Sequence, residues 1–266
     1  MVTAVKKPAP CRSANPANCK FHGVPKSTKP LAPTPEIYKQ IPRDFNLDNE
    51  KFDETKYIGN CTEYLNQLDK EEITSVNQYV QADYNYINSA LYGNTPATAK
   101  IKNQIRLLDS ALTKAPEAPP VLWRSLSGFD LPNKFREQNH QPGDVLEFKG
   151  YTSTSETPSA LMHIPNDLTW YMRETPADEW EHDPKMTYKV VLPKGYEDQP
   201  AKNVFFMIKT RTAAPVSVLR GTTAEQEWLI PRGKKFRITN IHENKTVSGY
   251  HMRNGTRATI YEVEEI

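Results

Sequence analysis

A change of apolar period near Pro120 constrains the fold of this chain more than any other feature. Ile73, Val76, Val80, Tyr84, Ile87 and Leu91 recur at intervals of three or four residues, the spacing that lines one face of an α-helix. Asp69 with Glu72 three residues later predicts a capping box at its start, and Gly93 predicts its stop. Ile101, Ile105, Leu108 and Leu112 predict a second helix ending before Pro116. Beyond Pro120 the pattern becomes short runs rich in Val, Ile, Tyr and Phe, at 121–126, 145–151, 186–192, 203–209, 215–219, 226–231, 235–241 and 257–264. Gly, Pro and Asn separate them, so each predicts a strand, and Asn254-Gly255 predicts a tight hairpin turn. Helices first and strands afterwards describe an α+β domain, not alternating βαβ units.

The region before Asp69 reads differently. Residues 1–35 hold seven prolines and six lysines or arginines, and the first acid is Glu36. Such a stretch has too little apolar surface for a core and is expected to be a disordered tail over 1–40, with the folded domain spanning 41–266. Residues 36–60 are mixed and polar and are expected to form a loose lead-in. No run approaches the roughly 18 apolar residues of a membrane helix, and Met1–Pro10 carries no secretory pattern. The expected location is the cytoplasm, or a recipient cytoplasm reached without a cleaved signal peptide. A net charge of +2 gives no clear nucleic-acid site.

Cys11, Cys19 and Cys61 form no disulfide framework. With His22 they offer the donor types of a tetrahedral zinc site. The eight positions from Cys11 to Cys19 are looser than the close ligand pairs of structural zinc sites, so no metal is expected.

Three pieces of the sequence carry chemistry. Glu225-Gln226-Glu227 sets two carboxylates one residue apart before the apolar run Trp228-Leu229-Ile230. In a strand that includes both, they project from one face and repel each other, which raises one pKa. Spacing alone is weak, because Glu262-Val263-Glu264 repeats it in a charged end of the chain. Arg124 lies among large apolar residues in Val121-Leu122-Trp123-Arg124, where an unpaired guanidinium is costly. It is either one partner of a structural ion pair or a fork for binding pyrophosphate. Ser153-Thr154-Ser155 is either a polar strand end or a source of a hydroxyl that holds a carboxylate in place. The glycine-rich dinucleotide fingerprint, the phosphate loop, the His-Glu-x-x-His zinc motif and the Gly-x-Ser-x-Gly elbow are all absent.

Taken in order, these pieces resemble the Arg…Ser-Thr-Ser…Glu-x-Glu signature of the exoenzyme-type, arginine-directed mono-ADP-ribosyltransferases, which include clostridial binary-toxin enzymes and insecticidal relatives. The resemblance runs from about residue 69 to 241. It also takes in Ile87-Asn88-x-x-Leu91, Gly150-Tyr151-Thr152 before the hydroxyl cluster, and Pro231 with Lys235-Phe236 after the carboxylates. It implies the ADP-ribosyltransferase fold, with N-terminal helices packed on a two-sheet β core. The implied activity cleaves NAD as substrate and transfers ADP-ribose to an arginine of a target protein, as a toxin or phage effector does.

By the resemblance, Arg124 binds the NAD phosphates, Ser153 orients Glu227, and Glu227 grips the nicotinamide ribose as nicotinamide leaves. Glu225 contacts the acceptor guanidinium, and Thr222 and Thr223 lie in the loop that recognises the target. Asn88, Tyr84 and Thr154 are implied as further NAD contacts. The chain departs from the family at Tyr92, where the helix motif often ends in arginine, and Arg106 is a candidate to supply that charge. An aromatic from the segment 155–186, which contains Trp170, Trp180 and His182, is expected to cover nicotinamide. An NAD glycohydrolase, with water as acceptor, and a non-catalytic binding module on the same fold are the alternatives. The Glu at position 225 favours arginine, because asparagine-modifying relatives carry Gln there.

Overall fold

The computed structural model describes residues 30–35, 39–46, 51–126, 131–158, 203–249 and 252–266. The expected tail with Cys11, Cys19 and His22, the expected strand at 186–192, and Trp170, Trp180 and His182 lie outside these residues.

The helices come first. Helix α1 (Glu54–Leu65) starts at Asp53, whose carboxylate accepts from the Lys56 N–H at 3.0 Å. The sequence expectation of a loose lead-in through residue 60 was wrong here. Tyr57, Cys61 and Tyr64 recur at helical spacing and are fully buried, a stripe that polar neighbours obscure. Helix α2 (Lys70–Gln78) carries the expected capping box between Asp69 and Glu72. Glu72 also accepts from Ser110 Oγ (2.7 Å) of helix α4 (Ala99–Thr113) and from Nζ of Lys114, the residue that follows that helix (2.6 Å), so one buried carboxylate caps one helix and clasps another. Burial pushes that carboxyl up, but these donors outweigh it and hold the group below its ordinary value.

The long helix expected from Asp69 to Leu91 is interrupted. A π-helical turn at Tyr79–Asp83 separates α2 from α3 (Tyr84–Leu91). Its wider turn breaks the 3.6-residue phase. Tyr84, expected on the apolar stripe, is therefore exposed, whereas Tyr79 is buried. Gly93 ends the helix as expected, with φ +80° and its N–H on Ala90 O.

The strands are β1 (Asp44–Asn46), β2 (Leu122–Leu126), β3 (Val145–Phe148), β4 (Thr152–Ser155), β5 (Asn203–Lys209), β6 (Ala214–Pro215), β7 (Glu227–Ile230), β8 (Lys234–Gly249) and β9 (Met252–Glu265). A fifth helix, α5 (Leu131–Glu137), lies between β2 and β3. The strands form one mixed sheet ordered β1-β8-β9-β5-β2-β4-β7-β6, with β3 on β8. Pairs β1–β8 and β5–β9 are parallel. The expected strand at 215–219 is instead the short β6 followed by a 3₁₀ turn at Ser217–Arg220. The expected turn at Asn254-Gly255 falls within β9, because β8 and β9 pair as far as Gly249 and Met252.

The two β layers expected from the sequence are hydrogen-bonded into this one sheet, where β2 meets β4 at Trp123 and Ser155. Trp228 and Ile230 of β7 share a core with Val204, Phe206 and Ile208 of β5. Leu229, on the other face of β7, packs with Val76, Tyr79 and Ile87 of the helices. Ile41 and Phe45 join a third cluster with Trp123 and Phe205.

Asn88 fastens the helices to the sheet. Its Nδ2 donates to Tyr79 Oη and Tyr151 O, both at 3.1 Å, and its Oδ1 accepts from the Tyr151 N–H at 3.0 Å. A Cβ on Gly150 would lie 2.6 Å from that Oδ1 and 3.0 Å from Tyr92 Cε2. Gly150→Ala is therefore expected to displace the Asn88 carboxamide and destabilise the fold by about 1–3 kcal/mol. Thermal denaturation measures this, and an unchanged Tm would show that the contact is not tight.

Candidate active site

Glu227 is the buried centre of the site. It opens β7, and its backbone is held on both sides. Its N–H donates to Ser217 Oγ at 2.5 Å, and its carbonyl accepts from Tyr57 Oη at 2.5 Å. Tyr57 Oη in turn accepts from the Ser217 N–H at 3.2 Å. Glu227 is only 5% exposed, and its Oε2 has no hydrogen-bond partner among the described residues. Burial pushes the carboxyl above its ordinary range. A hydrogen bond from the Ser153 side chain and the charges of Arg220 and Arg124 pull it down, while Glu225 raises it.

Glu225 and Glu227 meet by a route the strand model did not anticipate. Gln226 between them has φ +48°, and β7 begins only at Glu227. Glu225 therefore belongs to the preceding loop, and the two carboxylates are not successive members of one strand face. Gln226 is itself buried, with Oε1 accepting from Thr157 N (3.1 Å) and Thr157 Oγ1 (2.6 Å). Glu225 is partly exposed and pairs with Nη1 of Arg220. The same nitrogen lies 4.0 Å from Glu227 Oε2. One guanidinium thus bridges the carboxylate pair.

Arg124 approaches from β2. Its Nη1 donates to the Ser153 carbonyl at 2.6 Å. Burial pulls its pKa down, while Tyr79, Tyr92 and Glu227 support its charge. The β4–β7 register pairs Ser155 with Glu227 and Ser153 with Leu229, so these four share one face. Arg124, Ser153 and Glu227 are accordingly brought together.

Other expected contacts are placed elsewhere. Thr154 faces the opposite side of β4, buried, with its hydroxyl on Trp228 O at 2.7 Å. Both Nδ2 protons and Oδ1 of Asn88 are occupied by Tyr79 and Tyr151, so it acts as a clamp. Tyr84 is exposed beyond the π turn. Arg106 points outward on α4, where Nε and Nη2 donate to Asn103 Oδ1. It does not supply the charge missing at Tyr92, which instead lies beside Gly150 and acts on Arg124. Thr223 Oγ1 donates to Glu54 on α1, tying the loop before Glu225 to that helix.

Sequence reasoning missed Arg220, Tyr57 and Ser217. Tyr57 was discoverable through its stripe with Cys61 and Tyr64, but Arg220 has no local signal. The pair Glu262 and Glu264 is engaged by His242 and Lys209 on the sheet, away from this cluster. Among the described residues, no group of three or more His, Cys, Asp or Glu side chains could hold a metal. No helix among them is long and apolar enough to cross a membrane.

The family model for the ADP-ribosyltransferase exoenzyme matches residues 53–263. No curated protein matches in sequence. Among solved structures, the enzymatic component C2-I of the Clostridium botulinum C2 toxin is 19% identical with a TM-score of 0.54, over 80% of this chain and 48% of that one. The chain thus spans about half the length of C2-I. Plx2a, an ADP-ribosyltransferase toxin from Paenibacillus larvae, is 18% identical with a TM-score of 0.51, over 84% of this chain and 98% of that one. BECa, an ADP-ribosylating toxin of C. perfringens, is 20% identical with a TM-score of 0.51, over 84% of this chain and 50% of that one. These likenesses show the fold, and the family match accounts for most of the chain. The chain belongs to the ADP-ribosyltransferase exoenzyme family.

Proposed function

We propose that this chain is an NAD-dependent mono-ADP-ribosyltransferase that modifies an arginine of a target protein and releases nicotinamide. One observation carries the choice of acceptor: Glu225 already holds a guanidinium, that of Arg220, beside the buried Glu227. A carboxylate that seats one planar fork at this place is suited to seat another.

The residues fit NAD. Glu227 Oε2 is buried without a protein partner among the described residues, which is the state of an acceptor awaiting a ligand hydroxyl. BECa is described with NADH, which supports a dinucleotide as ligand for this fold. When bound, NAD supplies an ADP-ribosyl group joined to nicotinamide as leaving group. Glu227 accepts from the ribose hydroxyls and sets a fixed negative charge against the positive charge that develops on the sugar. Ser153 holds that carboxylate in place, and Arg124 binds phosphate while bracing the Ser153 carbonyl. Glu225 contacts the incoming guanidinium and takes its proton. Thr222 and Thr223 flank the same loop and contact the target. C2-I is named as the enzymatic component of a toxin, and the proposal extends by that likeness to an effector acting in a recipient cytoplasm.

Glu225→Gln should lower transfer to arginine by roughly 100-fold or more while NAD hydrolysis persists. Labelled-NAD transfer and nicotinamide release, measured side by side, decide this, and equal loss of both would remove Glu225 from the acceptor side. Arg124→Lys keeps the charge and loses the fork, so NAD affinity should weaken by roughly ten-fold. Calorimetry with NAD checks it, and unchanged affinity would take Arg124 out of the pocket.

The pH dependence follows from Glu227, which acts as the carboxylate. Its pKa lies above the ordinary value of about 4.3. Activity should be full above the raised pKa and fall as pH drops through it. Ser153 lowers that pKa, so Ser153→Ala should move the acid limb of kcat/KM to higher pH. A limb that stays in place would show that Ser153 does not stabilise the carboxylate.

A further inference from the structure

The arginine that bridges the carboxylate pair belongs to the chain itself. Nη1 of Arg220 lies on Glu225 Oε2 and 4.0 Å from Glu227 Oε2. An internal guanidinium therefore stands where the guanidinium of a target is proposed to stand. We propose that Arg220 is itself an acceptor, so that the enzyme attaches ADP-ribose to its own Arg220. The proposal rests on the arginine-transfer function given above.

Local structure holds Arg220 in this place. It ends the 3₁₀ turn Ser217–Arg220, whose first residue is fixed through its N–H to Tyr57 and through its Oγ to the Glu227 N–H. Gly221 follows with φ +72° and returns its N–H to Val218 O at 3.1 Å. This left-handed residue reverses the chain at no steric cost. The way back to Glu225 is closed by Ala224 N–H on Thr222 Oγ1 (3.1 Å) and Gln226 N–H on Thr223 O (2.9 Å). Thr223 is tied in turn to Glu54. Turn and loop thus form a short, internally bonded arc whose two ends carry Arg220 and Glu225.

Two magnitudes decide between a plug and an acceptor. Both side chains are about one-third exposed (34% and 31%), and an ion pair of this kind favours contact by roughly a factor of five at most. That is too weak to shut out a target arginine that brings its own interface. Yet a group tethered so close is present at an effective concentration on the order of millimolar or above. Arg220 is therefore displaced by a proper target but remains a standing acceptor in its absence.

The step balances with NAD as the donor. The bond from C1′ of the nicotinamide ribose to the ring nitrogen breaks, and its electron pair leaves on neutral nicotinamide. A bond forms from that carbon to Nη1 of Arg220, whose lost proton passes to the Glu225 carboxylate and then to solvent. The product keeps the guanidinium charge. The bulky, anionic ADP-ribose left on Arg220 covers Glu225 and slows transfer to other acceptors.

The test incubates the full chain with NAD, with and without agmatine as a free guanidino acceptor, and maps modified peptides by mass spectrometry. Wild type should gain one ADP-ribose on Arg220, and its transfer to agmatine should slow several-fold after preincubation with NAD. Arg220→Lys keeps a cation on Glu225 and should show neither effect. Agmatine modified while Arg220 stays unmodified overturns the proposal and leaves the arginine-transfer function standing. Labelling of Arg220 that persists in Glu227→Gln overturns it as well, since the modification is then non-enzymatic. Neither acceptor modified, with no nicotinamide released, removes the proposed function and this inference together.

Discussion

The site depends on the Tyr57 hydroxyl, which joins the first helix to the strand that carries Glu227. It donates to the Glu227 carbonyl and accepts from the Ser217 N–H, closing a small ring of hydrogen bonds at the start of β7. Tyr57 is fully buried and meets Trp228 edge-on, with ring centroids 6.0 Å apart. Without it, the buried Ser217 N–H would lose its partner, at about 1–3 kcal/mol, and the Glu227 carbonyl would keep only the Val216 N–H at 3.0 Å. The same hydroxyl thus sets where helix α1 docks and where the buried carboxylate begins its strand. Packing and chemistry share one anchor.

The sheet performs the sorting around that anchor. Alternation along β4 and β7 sends Ser153, Ser155 and Glu227 to the helical side and Thr154, Trp228 and Ile230 to the core between the layers. Arg124 then crosses from β2 to the Ser153 carbonyl near the place where the layers join. The guanidinium consequently stitches the seam between the layers as well as facing Glu227. A cation in an apolar stretch, costly by itself, is stabilised by a carbonyl, two tyrosines and a carboxylate.

The sequence was most legible where one local rule decides the outcome. The Asp69–Glu72 cap, the Gly93 stop, the Ile101–Leu112 helix and the strand carrying Phe205 and Phe206 follow from period and turn chemistry. Arg124, Ser153 and Glu227 were singled out by their order along the chain, through the family resemblance, and the fold brings them to one place. What failed has a physical pattern. The π turn at Tyr79–Asp83 leaves no mark in an apolar period, so Tyr84 was assigned to the wrong face. Asn88 and Thr154 have side chains suited to a ligand, but the Tyr79 hydroxyl and backbone groups of Tyr151 and Trp228 claim them, which only tertiary structure shows. Arg220 becomes visible only when a turn brings it back across the loop to Glu225.

The left-handed backbone at Gln226 has a structural consequence. It assigns two neighbours in sequence to different elements: Glu227 belongs to the sheet, while Glu225 belongs to the arc that begins at Ser217. Gln226, pinned to Thr157, is the fixed corner between them. One residue with a left-handed backbone thus sets a buried carboxylate and a partly exposed one on different supports, although they are neighbours in sequence.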